Sequence, residues 1–275
     1  MTFCFAEGSF RQPEEVRMPV SDLALQRGVG VFETIRTYNG RPMALSAHLK
    51  RLAGSAAMSR ISLPMPISEM EQIIRDGLSR RGEDGRARPV ITGGDVLDPQ
   101  KGFTSPRFFV FFEPLDTPPA EAYEKGVALL PVDQERPLPR IKSINYMPAL
   151  TSMGEDPGAL EVLYCPDGLV TEAARSSAFM VSDGGLVTAP VDRVLAGTRR
   201  SIVIELAREA GLKVDERCPR VEELNTAMEF FITGSVKEVM PVTRIGRTTI
   251  GSGMPGPLTR RLHHLFLSNL ERWME

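Results

Sequence analysis

The sequence predicts a mixed α/β (α+β) protein in two parts, and three observations carry that reading. Segments rich in β-branched and aromatic residues are interspersed with segments of helical periodicity. These segments follow no regular strand–helix–strand order and show no internal repeat, which argues against a doubly wound parallel sheet. Composition shifts at residues 113–120 (EPLDTPPA), where three prolines mark the best candidate for a linker. A chain of 275 residues can fill one large domain or two of ordinary size.

Taken in order, Val29 to Tyr38 (VGVFETIRTY) reads as a strand closed by the turn Asn39-Gly40. His48, Leu49, Leu52 and Ala53 recur at helical spacing, which predicts a helix over Ala47 to Met58. A second helix is expected from Ser68, with Glu71 three residues on as a capping box. Val90 to Gly93 and Phe108 to Glu113 read as strands, separated by a polar loop from Gly94 to Pro106. In the second half, strands are expected at Gly126–Val132, Leu160–Tyr164, Ala178–Ser182 and Glu229–Thr233. Helices are expected from Arg199 to Ala210, stopped by Gly211, and from Thr259 to Glu271.

Composition excludes several classes of function. A net charge of -2 leaves no basic footprint for nucleic acid. No apolar run approaches the roughly 18 residues of a spanning helix. Met1 to Phe5 lacks the pattern of a secretory signal. Cys4, Cys165 and Cys218 lack partnered spacing and read as free thiols of a cytoplasmic protein. No His or Cys cluster has metal-ligand spacing, and His263-His264 reads as surface, so no metal is expected. There is no glycine-rich dinucleotide fingerprint and no P-loop.

The segment Arg140-Ile141-Lys142-Ser143-Ile144-Asn145-Tyr146 carries the first chemical signal. A lone lysine is ordinarily a solvated surface residue. Here Ile141 and Ile144 flank it, and the chain continues without the charges of a surface helix. A lysine in apolar surroundings loses its charge readily and becomes a nucleophile toward an aldehyde.

Around that lysine, a series of segments resembles the fold-type IV pyridoxal-phosphate (PLP) enzymes. These include the D-amino acid and branched-chain aminotransferases, the (R)-amine transaminases and the aminodeoxychorismate lyases. The segments are Arg27 to Arg36 (RGVGVFETIR), His48 to Leu52 (HLKRL), Lys142 to Tyr146 (KSINY) and Leu169 to Ala173 (LVTEA), then Val194 to Gly197 (VLAG) and Glu238 to Val242 (EVMPV). They stand in family order over nearly the whole chain. The resemblance implies a smaller N-terminal α/β domain (residues 1–115), an interdomain linker (116–125) and a larger pseudo-barrel α/β domain (126–275), with the cofactor between them.

It also implies roles. Lys142 is the Schiff-base lysine and proton shuttle. Glu172 faces the pyridine nitrogen. Arg51 pairs with the phosphate, where a planar fork suits the oxygens. Gly197 opens a helix whose backbone N–H groups hold the phosphate. Relatives have Ile-Thr after that glycine; this chain has Thr198-Arg199, so the hydroxyl is lost or comes from Thr198, and Arg199 either adds a cation or points to solvent. Ser235, with Val236 beside it, matches the other phosphate hydroxyl. Leu195 packs on the ring. Tyr146 either bonds near the ring hydroxyl or is a core tyrosine.

For the substrate, Glu33 favours transamination over the lyase branch. The short spacing from Lys142 to Asn145 is closer to D-amino acid aminotransferases than to the branched-chain branch. Their tyrosine and arginine carboxylate contacts are replaced here by Phe32 and Gly93. Arg27, Arg175 and Lys237 stand where relatives carry neutral residues, and they suit a dianionic pair such as glutamate and 2-oxoglutarate. The expected activity is therefore transfer of an amino group from a D-amino acid to 2-oxoglutarate or another 2-oxo acid. A branched-chain L-aminotransferase, an (R)-amine transaminase, an aminodeoxychorismate lyase and a non-catalytic PLP-binding relative stand as alternatives. The family implies a homodimer, with the Arg27 loop reaching the partner's site.

Overall fold

The computed structural model describes residues 1–275. The chain divides into two compact units. The first comprises 1–116, 141–145 and 271–275, and the second comprises 117–140 and 146–270. This differs from the expected division in two ways. The lysine segment and the last five residues belong with the first unit. Most of the expected linker is a helix, Ala120–Lys125.

The first unit is built on an antiparallel sheet of seven strands. Ser9–Arg11, Phe3–Ala6, Phe108–Pro114, Gly85–Thr92, Ile35–Tyr38 and Arg41–Pro42 follow one another across it, and Gly30–Phe32 also pairs with Gly85–Thr92. The expected strand over 29–38 is thus two strands broken at Glu33-Thr34, because the Glu33 side chain is drawn into the interior. The turn after it is as expected. Asn39 and Gly40 both have positive φ, and their N–H groups donate to Asp84.

Two helices cover the sheet. Leu45–Met58 buries Leu45, Leu49, Leu52 and Ala56, and Ile67–Arg81 buries Met70, Ile74 and Leu78. Each set recurs at three or four residues, so one stripe faces the strands. The ring of Phe112 lies where a Cβ on Gly77 would be, which lets the second helix approach closely. The expected capping box is absent: Pro66 precedes this helix, and Glu71 instead pairs with Arg75 one turn on. The first helix is capped from far away in sequence. The Glu275 carboxylate accepts from Ser46 N at 3.1 Å and from Ser46 Oγ at 2.5 Å.

In the second unit six strands close a ring. Their order is Glu172–Ala173, Glu161–Tyr164, Val127–Val132, Glu238–Ile245, Glu229–Gly234, Ser176–Ser182 and back to Glu172–Ala173. Gly185–Thr188 and Val214–Glu216 extend the sheet beyond it. Alternate residues of the ring, among them Leu129, Leu163, Ala178, Met180, Phe230, Ile232, Met240 and Val242, form one buried cluster. On the other face Phe179 stacks on Phe231 with ring centroids 4.9 Å apart. The helices Thr198–Glu209 and Pro257–Ser268 contact these strands. No helix is long and apolar enough to cross a membrane.

Candidate active site

Lys142 lies in the first unit on a short extended segment. Phe32 N donates to Lys142 O at 3.0 Å, Ile144 N donates to Gly30 O at 3.1 Å, and Ser143 bridges to Val31. A side chain at Gly30 would meet Ile144 Cδ1 at 2.9 Å, so glycine is what allows this approach. Lys142 N donates to Ser55 Oγ at 3.2 Å. The ammonium Nζ stands 4.6 Å from the centroid of the Phe32 ring. Lys142 is half-buried, Ile141 is buried, and two separately predicted site residues, Lys142 and Phe32, are brought together.

Arg51 belongs to the same unit. Its Nε and Nη2 donate to the two oxygens of Glu33 at 2.6 and 2.7 Å, and His48 Nδ1 is 2.7 Å from Glu33 Oε2. Glu33 and His48 are wholly buried. Burial alone would raise the Glu33 pKa, but Arg51 and His48 outweigh it and hold the carboxyl well below the usual carboxylate range. Arg27 is exposed at the end of the helix Leu23–Arg27, where its guanidinium donates to Gln26 O, so within this chain it stands at the surface. At Gly93 a Cβ would meet Val29 Cγ1 at 2.7 Å and Phe103 Cδ1 at 3.3 Å, so the position has no room for an arginine.

The second unit holds the remaining candidates. Glu172 is buried and accepts from Arg136 Nε at 2.6 Å and from Leu195 N at 3.2 Å. Arg136 also donates to Pro139 O. Sequence reasoning missed Arg136; it stands in an irregular segment, Gln134-Glu135-Arg136-Pro137, with no periodicity to mark it. Tyr146 is surrounded by Arg136, Glu161, Arg175 and Glu172, and burial first, with the two glutamates, pushes its hydroxyl up to about 12. It therefore keeps its proton at any ordinary pH.

A further carboxylate, Glu161, was not singled out from the sequence, where it reads only as part of a strand. It is 1% exposed and accepts from Ser176 Oγ and Arg175 N, each at 2.7 Å. Lys237 Nζ stands 3.1 Å from Glu161 Oε1 and 3.3 Å from Ser176 Oγ. Burial raises the Glu161 pKa, but Lys237, Ser176 and Arg175 together bring it below the ordinary value. Of the predicted substrate cations, Lys237 thus meets this buried acid with its ammonium, and Arg175 only with its backbone N–H. The Arg175 side chain is exposed, and its Nη2 donates to Leu160 O.

Gly197 precedes the helix Thr198–Glu209 in extended conformation. A Cβ there would meet Ser177 Oγ at 2.6 Å. Thr233 lies directly opposite Ser177 on the neighbouring strand, and its hydroxyl is buried with no partner. Thr198, Ser235 and Val236 are partly exposed. Arg199 does not point to solvent: it is 2% exposed, with its guanidinium carbon 5.8 Å from the Phe266 ring centroid. Of the two expected placements, the solvent-facing one is thus set aside, and the guanidinium lies between two helices. His263, expected at the surface, is half-buried and pairs with Glu238 at 2.7 Å.

A family model described as amino-transferase class IV matches residues 30–245. The chain is a class IV aminotransferase. The D-alanine aminotransferase of Bacillus licheniformis is 33% identical to it over 262 residues, covering 93% of this chain and 92% of that protein. A putative branched-chain-amino-acid aminotransferase of Methanocaldococcus jannaschii is 33% identical over 283 residues, covering 98% and 96%. Among solved structures, the T.th. branched-chain amino acid aminotransferase with pyridoxamine 5'-phosphate superposes with a TM-score of 0.91 at 28% identity, covering 99% of this chain and 97% of that one. The aminotransferase is therefore a fold-type IV enzyme that uses pyridoxal 5'-phosphate. The residues present fit that group: a glycine that leaves space before a helix N-terminus, a buried hydroxyl without a partner, and a buried carboxylate held by an arginine.

Proposed function

We propose that this enzyme is a D-amino acid aminotransferase with a carboxylate site of its own kind. Pyridoxal 5'-phosphate, when bound, supplies the aldehyde that takes up the amino group and the electron sink that lets the α-carbon lose its proton. Lys142 Nζ holds the cofactor in the resting enzyme and removes the substrate α-proton. Its half-buried setting, next to buried Ile141 and with Nζ over the Phe32 ring, fixes where the amine stands. The Glu172 carboxylate faces the pyridine nitrogen, with Arg136 and Leu195 N fixing its direction. Tyr146 stays protonated and donates near the ring hydroxyl. Leu195 packs on the ring. Arg51, the N–H groups that follow Gly197, and the hydroxyls of Thr198 and Ser235 hold the phosphate, with Val236 beside them.

The observation that carries the substrate reading is the exposed Arg175 guanidinium close to a Lys237 ammonium that is already paired with Glu161. With Lys237 paired to Glu161, the Arg175 charge remains for one substrate carboxylate. This reduces the surplus expected from the sequence, because Glu161 offsets Lys237. The closed position at Gly93 supports the same reading, since the arginine of the best-known D-enzymes has no space there. Arg27, at the surface of its own chain, acts on the partner's site in a homodimer of a cytoplasmic protein.

A branched-chain L-aminotransferase is the second reading, supported by Phe32 beside Lys142 and by a relative of that name at the same 33% identity. Steady-state assays with the two enantiomers of alanine, glutamate and leucine, and 2-oxoglutarate as acceptor, separate the two. D-alanine or D-glutamate is expected to be the better donor. Activity confined to L-leucine and its branched analogues would overturn the D-amino acid reading. Lys142→Ala is expected to abolish turnover with every donor.

A further inference from the structure

The Glu33–His48–Arg51 cluster is wholly internal to the first unit, and the roles above leave Glu33 and His48 without one. His48 and Arg51 are three residues apart on the helix Leu45–Met58, so their side chains share a face. Glu33 reaches them because the strand breaks there, and its backbone is pinned where Glu33 N donates to Pro89 O at 2.9 Å. The two arginine bonds, to Glu33 Oε1 and Oε2, run side by side from Nε and Nη2. Such a pair fixes the plane of a guanidinium as well as its position.

We infer that Glu33 is the positioning residue for Arg51, setting the direction in which the guanidinium meets the cofactor phosphate. This rests on the proposal that Arg51 holds that phosphate. An arginine fixed in advance loses little rotamer freedom when the anion arrives, so the gain appears as affinity. His48 completes the arrangement by occupying Glu33 Oε2, which keeps the carboxylate from turning away. The ionised state of Glu33, favoured by Arg51 and His48 over burial, keeps this geometry through the acid range.

The experiment compares two aldehydes that differ only in the phosphate. Apo wild type, Glu33→Gln and His48→Asn are titrated with pyridoxal 5'-phosphate and with pyridoxal, and dissociation constants are read from the visible absorption band or by equilibrium dialysis. Glutamine keeps the shape of Glu33 but cannot pair with two charged donors. Glu33→Gln is expected to weaken the phosphorylated aldehyde about tenfold or more and to leave pyridoxal unchanged. His48→Asn keeps both arginine bonds and should shift the same ratio by about twofold to threefold. A role in stability alone would weaken both aldehydes together, and that result would overturn the inference. If Glu33→Gln does not fold, an unchanged ratio in His48→Asn overturns it instead. A wild type with no preference for the phosphorylated aldehyde would remove Arg51 from the phosphate, and the inference with it. Loss of preference in Glu33→Gln alone would leave the phosphate assignment intact and confirm the positioning role.

Discussion

Glu33 in the first unit and Glu161 in the second are both almost fully buried and paired with basic side chains, and the two arrangements differ. Glu33 is wholly enclosed, and its oxygens are taken by a rigid guanidinium and an imidazole. Glu161 is equally buried, but its partners are a flexible ammonium, a hydroxyl and a backbone N–H, and Arg175 beside it is exposed. A fork held at two points gives one geometry. A lysine that can choose between Glu161, Ser176 and an incoming anion gives several. In the reading proposed above, the first serves a group that is the same in every turnover and the second one that changes.

The largest expected effect breaks the Glu33 side of this comparison. Arg51→Ala leaves a buried carboxylate with His48 alone, and should cost about 3–5 kcal/mol of stability, measured by the midpoint of denaturant unfolding. Lys237→Ala should cost only about 1–3 kcal/mol, because Ser176 and Arg175 N still serve Glu161. It should raise KM for the amino donor more than it lowers kcat. Equal losses of stability in the two variants would contradict a rigid site set against an adaptable one. Ser176→Ala should cost about 1 kcal/mol and should shift KM less than Lys237→Ala does.

The smallest expected effect comes from acid. Glu33 and Glu161 both titrate below their ordinary values in the folded chain. Their pairings therefore add stability that is fully present above the unfolded carboxyl value, about 4.3, and is lost as pH falls toward the folded values. The melting temperature should be level from pH 7 to about 5 and begin to drop by a few degrees near pH 4. The drop should be shallower in Arg51→Ala, where Glu33 has lost its main partner. An identical acid profile in that variant would show that Glu33 takes no part.

Much of this was legible in the sequence where a local pattern spoke. The helix Leu45–Met58 and the Asn39-Gly40 turn followed from spacing and turn chemistry, and the spacing also places His48 and Arg51 on one face. The pairing of that face with Glu33 was not legible, because it depends on a strand break that no periodicity announces. Glu238–Ile245, the longest strand of the second unit, was recognised only as a motif, since Pro241 argues against a central strand. The proline is tolerated because the parallel partner on that side begins at Val242. Arg136 and Glu161 escaped notice because a charged residue that becomes buried looks, in sequence, like one that stays in water.

The return of 271–275 to the first unit affects how the protein is made. Met274 bridges to Met43, Ala44 N donates to Trp273 O, and Glu275 caps the helix that carries His48 and Arg51. Residues 1–116 emerging from the ribosome therefore lack both the extended segment that bears Lys142 and the cap of that helix. The Lys142 segment follows residues 117–140, and the cap arrives only after residue 270, so the start of that helix is completed after the second unit has been synthesised. A nascent chain stalled before residue 271 should expose the start of that helix to proteases.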